Sequence, residues 1–133
     1  MGFGCGEQTI HLMSEKPIRP SDKLWWDDEH HKVYFDQYVG ITQDKVQCEY
    51  AQERVDELGK DNVKLFCADA SKPQMWSEQL LATIKMVGST TQEKWFLALD
   101  TAYHFSPSRW QLLQHAHQNL NASFMAFDLC LSP

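Results

Sequence analysis

The sequence lacks any block of basic residues. Its 12 Lys and Arg are outnumbered by 18 Asp and Glu, for a net charge of −6 with His neutral. The cations stand singly, as at Lys45, Arg54, Lys60, Lys64, Lys85, Lys94 and Arg109. A nucleic-acid binder presents a basic face, so no nucleic-acid partner is expected. No run approaches the ~20 apolar residues that cross a bilayer, and the start has neither the basic nor the apolar segment of a secretory signal. A cytoplasmic location without a transmembrane segment is therefore expected. Gly6 stands where N-myristoylation needs Ser or Thr. Cys5, Cys48, Cys67 and Cys130 form no Cys-x-x-Cys pair and read as reduced thiols. The run Asp27-Asp28-Glu29-His30-His31 is metal-like in composition only. Adjacent side chains seldom converge on one ion, so no metal is expected and a solvated insertion is.

What is present is globular composition: 43% apolar and 23% charged over 133 residues, suited to one domain spanning 1–133. A glycine-rich turn leads into a short helix over 7–13, which Pro17 and Pro20 end. Residues 21–32 read as a loop. Within it and after it, Trp25, Trp26 and Tyr34 suit either packing under that loop or cover for an apolar substrate. A strand within 33–41 ends at Gly40-Ile41. The best helix spans 44–58, with Val46, Tyr50, Val55 and Leu58 at helical spacing and Gly59 as its stop. Residues 63–68 form a strand, and Pro73 opens a helix running to about 87. The unbroken apolar run Trp95-Phe96-Leu97-Ala98-Leu99 is what a strand covered on both faces requires. A helix over 108–120 and a strand over 123–129 complete the series. This alternation predicts an α/β fold with a doubly wound, mostly parallel, Rossmann-like sheet.

Both ends of that sheet read as incomplete. A glycine turn of this kind leaves the end of a first strand, yet here it begins at Gly2. The given sequence stops just after the last strand, at Pro133. Missing first and C-terminal strands leave exposed edges, which predicts a homo-oligomer or a covering partner.

The chemistry-bearing stretches stand at the expected carboxyl ends of the strands. Gly2-Phe3-Gly4-Cys5-Gly6-Glu7-Gln8-Thr9 puts glycines at alternate positions, which lets backbone approach a ligand closely. A dinucleotide fingerprint would need glycine at position 7, where this chain has Glu7. Thr42 follows Gly40-Ile41, with Gln47, Ala51 and Arg54 beyond; at that place Thr42 either caps a helix or offers a hydroxyl to a ligand. Asp69 in Phe66-Cys67-Ala68-Asp69-Ala70 either caps its own turn or accepts a hydrogen bond from a bound base. Asp100-Thr101-Ala102-Tyr103-His104-Phe105 ends the fourth segment of the series, and its His104 is either a packed, capping side chain or a proton acceptor.

Taken in order, these stretches resemble the motifs of class I S-adenosylmethionine-dependent methyltransferases, across nearly the whole chain. Gly-Ile-Thr with Gln47 five residues on is similar to the sterol and tocopherol branch. The resemblance implies S-adenosyl-L-methionine as cofactor and a small, apolar or lipid-like acceptor. It implies that Gly2, Gly4 and Gly6 hold the methionine end, Thr42 the ribose and Asp69 the adenine, with Gln47 and Ala70 also binding the cofactor, and that Asp100 lies near the sulfonium. Tyr103 and His104 would line the acceptor side as catalytic residues, with His104 as general base. The family's usual Asp or Glu after Gly-Ile is replaced by Thr42, and its Pro-Gly-Gly turn by Asn121-Ala122-Ser123. Two rival functions remain open on the sequence. One is a truncated, non-catalytic relative. The other is an NAD(P)-dependent oxidoreductase, which the glycine spacing and the uncharged residue 42 disfavour.

Overall fold

The computed structural model describes residues 4–13, 35–91, 93–99, 101 and 108–127. Four helices alternate with four parallel-paired strands: α1 (Glu7–Leu12), β1 (Tyr38–Thr42), α2 (Lys45–Glu57), β2 (Val63–Cys67), α3 (Glu78–Gly88), β3 (Trp95–Leu99), α4 (Trp110–Leu120) and β4 (Ser123–Phe127). The mixed α/β class is as expected. The sheet is not one continuous expanse among the described residues: β1 pairs with β2, β3 pairs with β4, and neither pair hydrogen-bonds the other. Both pairs are parallel, with Tyr38 opposite Val63 and Trp95 opposite Ser123.

Local chemistry sets the element ends. Asp44 caps α2 by accepting from the Gln47 amide at 3.0 Å. Gly59, at φ +59°, closes the same helix. Its N–H donates to the Asp56 carbonyl and the Lys60 N–H to that of Val55, a left-handed stop that favours glycine. Ser77 caps α3 through the Leu80 amide at 3.2 Å. Pro73 does not open that helix. It starts a separate 3-10 turn, Pro73–Met75, and Trp76 then turns extended, so the helix restarts at the Ser77 cap. Asn121, at φ +48°, ends α4.

Strand alternation sorts the side chains onto two faces. Val39, Ile41, Phe66, Ala68, Phe96 and Ala98 join Leu80 and Ile84 of α3 and Leu112 and Ala116 of α4 in the main core. Tyr38, Val63 and Leu65 point the other way, toward Cys48, Ala51 and Val55 of α2 and Met13 after α1. Both faces of the β1–β2 pair are therefore covered. The buried stripe of α2 is Cys48, Ala51 and Val55. Of the expected stripe only Val55 is buried; Val46, Tyr50 and Leu58 are exposed. Small side chains let α2 lie close to the sheet, and the larger ones fell on the solvent side. No helix among the described residues is long and apolar enough to cross a membrane.

Candidate functional site

The glycine turn is positioned by α2. Gly4 and Gly6 take φ of +54° and +91°, values that side-chain-bearing residues rarely adopt. Their surroundings differ. A Cβ added at Gly6 would stand 3.1 Å from the Ala51 Cβ, whereas one at Gly4 would meet nothing within 4 Å among the described residues. Gly6 is thus needed for close approach to α2, and Gly4 leaves an open backbone surface. Arg54 ties the turn down: its Nη1 donates to the Cys5 carbonyl at 3.0 Å and to the Glu7 carboxylate. That pairing holds the Glu7 carboxyl below its ordinary range.

Thr42 ends β1 and is buried, and its carbonyl accepts from the Ala68 amide at 2.8 Å. Gln47 sits half-buried in the first turn of α2. Asp69 and Ala70 follow the end of β2, with Ala70 in the main core. The Asp69 carboxylate is engaged within its own turn. Its Oδ1 accepts from the Ser71 amide at 2.9 Å and the Ser71 hydroxyl at 2.6 Å, and its Oδ2 pairs with Lys72 Nζ at 2.9 Å. The Ser71 bonds are the main reason its carboxyl lies below the ordinary value. A carboxylate has about four acceptor positions, so one donor more can be accommodated at the third-exposed side chain.

Two partners were not legible in the sequence. Trp76 donates its indole N–H to the Asp69 carbonyl at 2.9 Å, which fixes the turn that carries Asp69. Its ring meets His115 of α4 edge-on, centroids 5.0 Å apart. His115 Nε2 is buried without a partner among the described residues, and burial pushes its imidazole below the ordinary value. The spacing between Asp69 and Trp76 carries no motif that could have revealed the link. Arg54 and Ala51 were noticed in the sequence, but their grip on the glycine turn is a property of the fold.

Gly2, Asp100, Tyr103, His104 and the 27–31 cluster lie outside the described residues. Among those described, no group of three or more His, Cys, Asp or Glu is arranged to hold a metal. Cys5, Cys48 and Cys67 are free thiols. No family model, characterised protein or solved structure matches the chain.

Proposed function

We propose that this chain binds S-adenosylmethionine and serves methyl transfer to a small, apolar or lipid-like acceptor, on a Rossmann-like sheet. One observation carries most weight: a glycine turn with an open left-handed Gly4, clamped to α2 through Gly6 and Arg54. It suits a ligand that needs bare backbone rather than a pyrophosphate cradle. Thr42 ends one parallel strand and the Asp69–Ala70 turn follows the other, which is where ligands of open α/β sheets bind. In this proposal Gly4 and Gly6 hold the amino-acid end, Thr42 and Gln47 the ribose, and Asp69 and Ala70 the adenine. The cofactor supplies a methyl already activated by its sulfonium. The chain then has to bind, orient and keep water out, and His104 takes the acceptor's proton.

A second function, a relative that binds no nucleoside, is favoured by one feature: both Asp69 carboxylate oxygens already have partners in the chain. Titration calorimetry separates the two. Saturable heat with S-adenosylmethionine and S-adenosylhomocysteine, none with NAD, and at least tenfold weaker binding in Gly4→Ala support the cofactor. Silence with both sulfur nucleosides at millimolar concentration overturns it.

A further inference from the structure

Two thiols that lie far apart in the chain are brought together where α2 packs on β2. Alternate residues of a strand share a face, so Val63, Leu65 and Cys67 of β2 point the same way. Val63 clusters with Val55 of α2, and Leu65 with Ala51 and Cys48. The helix therefore runs back along the strand, with Val55, Ala51 and Cys48 passing Val63, Leu65 and Cys67 in turn. The two paths have similar lengths, about 10 Å for seven helical residues and about 13 Å for four in a strand. Cys67 is thus carried to Cys48, and it is a side-chain hydrogen-bond partner of that residue.

The two thiols differ in access. Cys48 is buried, at 9% exposure, whereas Cys67 is exposed. The Cys67 Sγ also donates to the Gln43 carbonyl at 3.9 Å, which keeps it beside the start of α2. Burial first, and then Cys67 itself, push the Cys48 thiol above its ordinary value. Cys48 therefore keeps its proton in the interior, and Cys67 is the thiol that a small reagent from solvent meets.

We propose that Cys48 and Cys67 form a reversible redox pair, which hydrogen peroxide oxidises to a disulfide through Cys67. The Cys67 thiolate attacks one peroxide oxygen and the O–O bond breaks. Cys67 becomes a sulfenic acid, and the hydroxide released regains the proton that Cys67 lost, leaving as water. The Cys48 sulfur then attacks the Cys67 sulfur. The S–S bond forms, the S–O bond breaks, and the departing hydroxide takes the Cys48 proton as a second water. Two electrons pass from the two thiols to peroxide, and an external thiol returns them by exchange. The bond ties α2 to the end of β2. Neither cysteine is assigned to the cofactor, so the pair stands apart from S-adenosylmethionine binding.

The test treats the full chain with one equivalent of hydrogen peroxide and maps its linkages by mass spectrometry without reduction. A chain lighter by two hydrogens is expected, with the tryptic peptides of Cys48 and Cys67 joined, and dithiothreitol should reverse both changes. Cys48→Ser halts the reaction at its first step, so dimedone, which captures sulfenic acids, should label Cys67. Cys67→Ser should form an internal disulfide at least tenfold more slowly, while Cys5→Ser should match the wild type. In the urea-unfolded chain the preference for the Cys48–Cys67 linkage should vanish. A linkage of either residue to Cys5 or Cys130 in its place, or oxidation confined to methionine, overturns the proposal. So does an equal preference for the Cys48–Cys67 linkage in the unfolded chain. Should Cys48→Ser fail to fold, the wild-type map and the exposed Cys67→Ser decide.

Discussion

Replacing Gly6 with alanine incurs two costs that the structure separates. The first is backbone strain: at φ +91° a side-chain-bearing residue costs about 1–2 kcal/mol. The second is contact. The new methyl would lie 3.1 Å from the Ala51 Cβ, and Ala51 is fully enclosed at 0% exposure, so it has no room to retreat. Overpacking of this kind adds about 1 kcal/mol, the low end of its usual range. Gly6→Ala alone should therefore destabilise by about 2–3 kcal/mol. Ala51→Gly alone should cost about 2 kcal/mol, from lost helix propensity and one lost buried methyl. In the double variant the methyl clash is gone, and the nearest remaining atom is the residue-51 Cα, at 3.4 Å. The pair should then be about 1 kcal/mol more stable than the two separate losses combined. Urea unfolding of the wild type, both singles and the double, with the slope unchanged, measures this. Additivity within about 0.3–0.5 kcal/mol refutes the claim that Gly6 is required by contact with α2. So does Gly4→Ala proving more damaging than Gly6→Ala, because Gly4 shares the positive φ without a neighbour within 4 Å among the described residues.

Gly88→Ala should lower stability by about 1–2 kcal/mol despite alanine's better helix propensity. Its Cβ would fall 2.5 Å from the Asn119 carbonyl oxygen and force α3 from α4; a thermal midpoint equal to or above the wild type would be contrary. The half-buried His115, whose Nε2 is enclosed, makes stability pH-dependent. Its folded value is depressed, so the unfolded chain binds the proton first, and stability, complete above about pH 6.5, declines as the pH falls below that. The lowered carboxyls of Glu7 and Asp69, with ordinary values of 4.5 and 3.8, withdraw their contributions only at lower pH. Melting temperatures between pH 7 and 5 should thus slope in the wild type and flatten in His115→Phe, which retains a ring against Trp76. Equal slopes would assign the effect elsewhere. Trp76→Phe should cost about 1 kcal/mol or more through the lost bond to the Asp69 carbonyl. It should also loosen the Asp69 turn, seen as faster exchange of the Ser71 amide; unchanged exchange would detach Trp76 from that role.

Helix and strand placement was legible because it follows from local signals. Asp44, Ser77 and Gly59 act within three residues of the ends that they set; the start at residue 44 and the stop at Gly59 were read from the sequence, and the Ser77 cap was not. Pro73 misled because proline suits a 3-10 turn as well as a helix start, and the choice was made by Trp76, which turns extended to reach the Asp69 carbonyl. The face of α2 misled for a related reason. Hydrophobic size points to Tyr50 and Leu58, but closeness to the sheet and to Gly6 selects Ala51 and Cys48. Asp69 was recognised as a strand-end carboxylate. Its engagement by Ser71 and Lys72 depends on side-chain geometry that spacing does not specify.

The apolar run of β3 makes the strongest link between sequence and structure. An unbroken Trp-Phe-Leu-Ala-Leu demands cover on both faces. The described residues supply it on one: Phe96 and Ala98 are buried under α3 and α4, while Trp95 is 43% exposed on the opposite face. Opposite Leu97 on the neighbouring strand, Met125 is 49% exposed as well. The reason is the position of α1 and α2, whose buried residues pack on the β1–β2 pair. The run is thus covered, among the described residues, on the face of Phe96 and Ala98 and open on the face of Trp95.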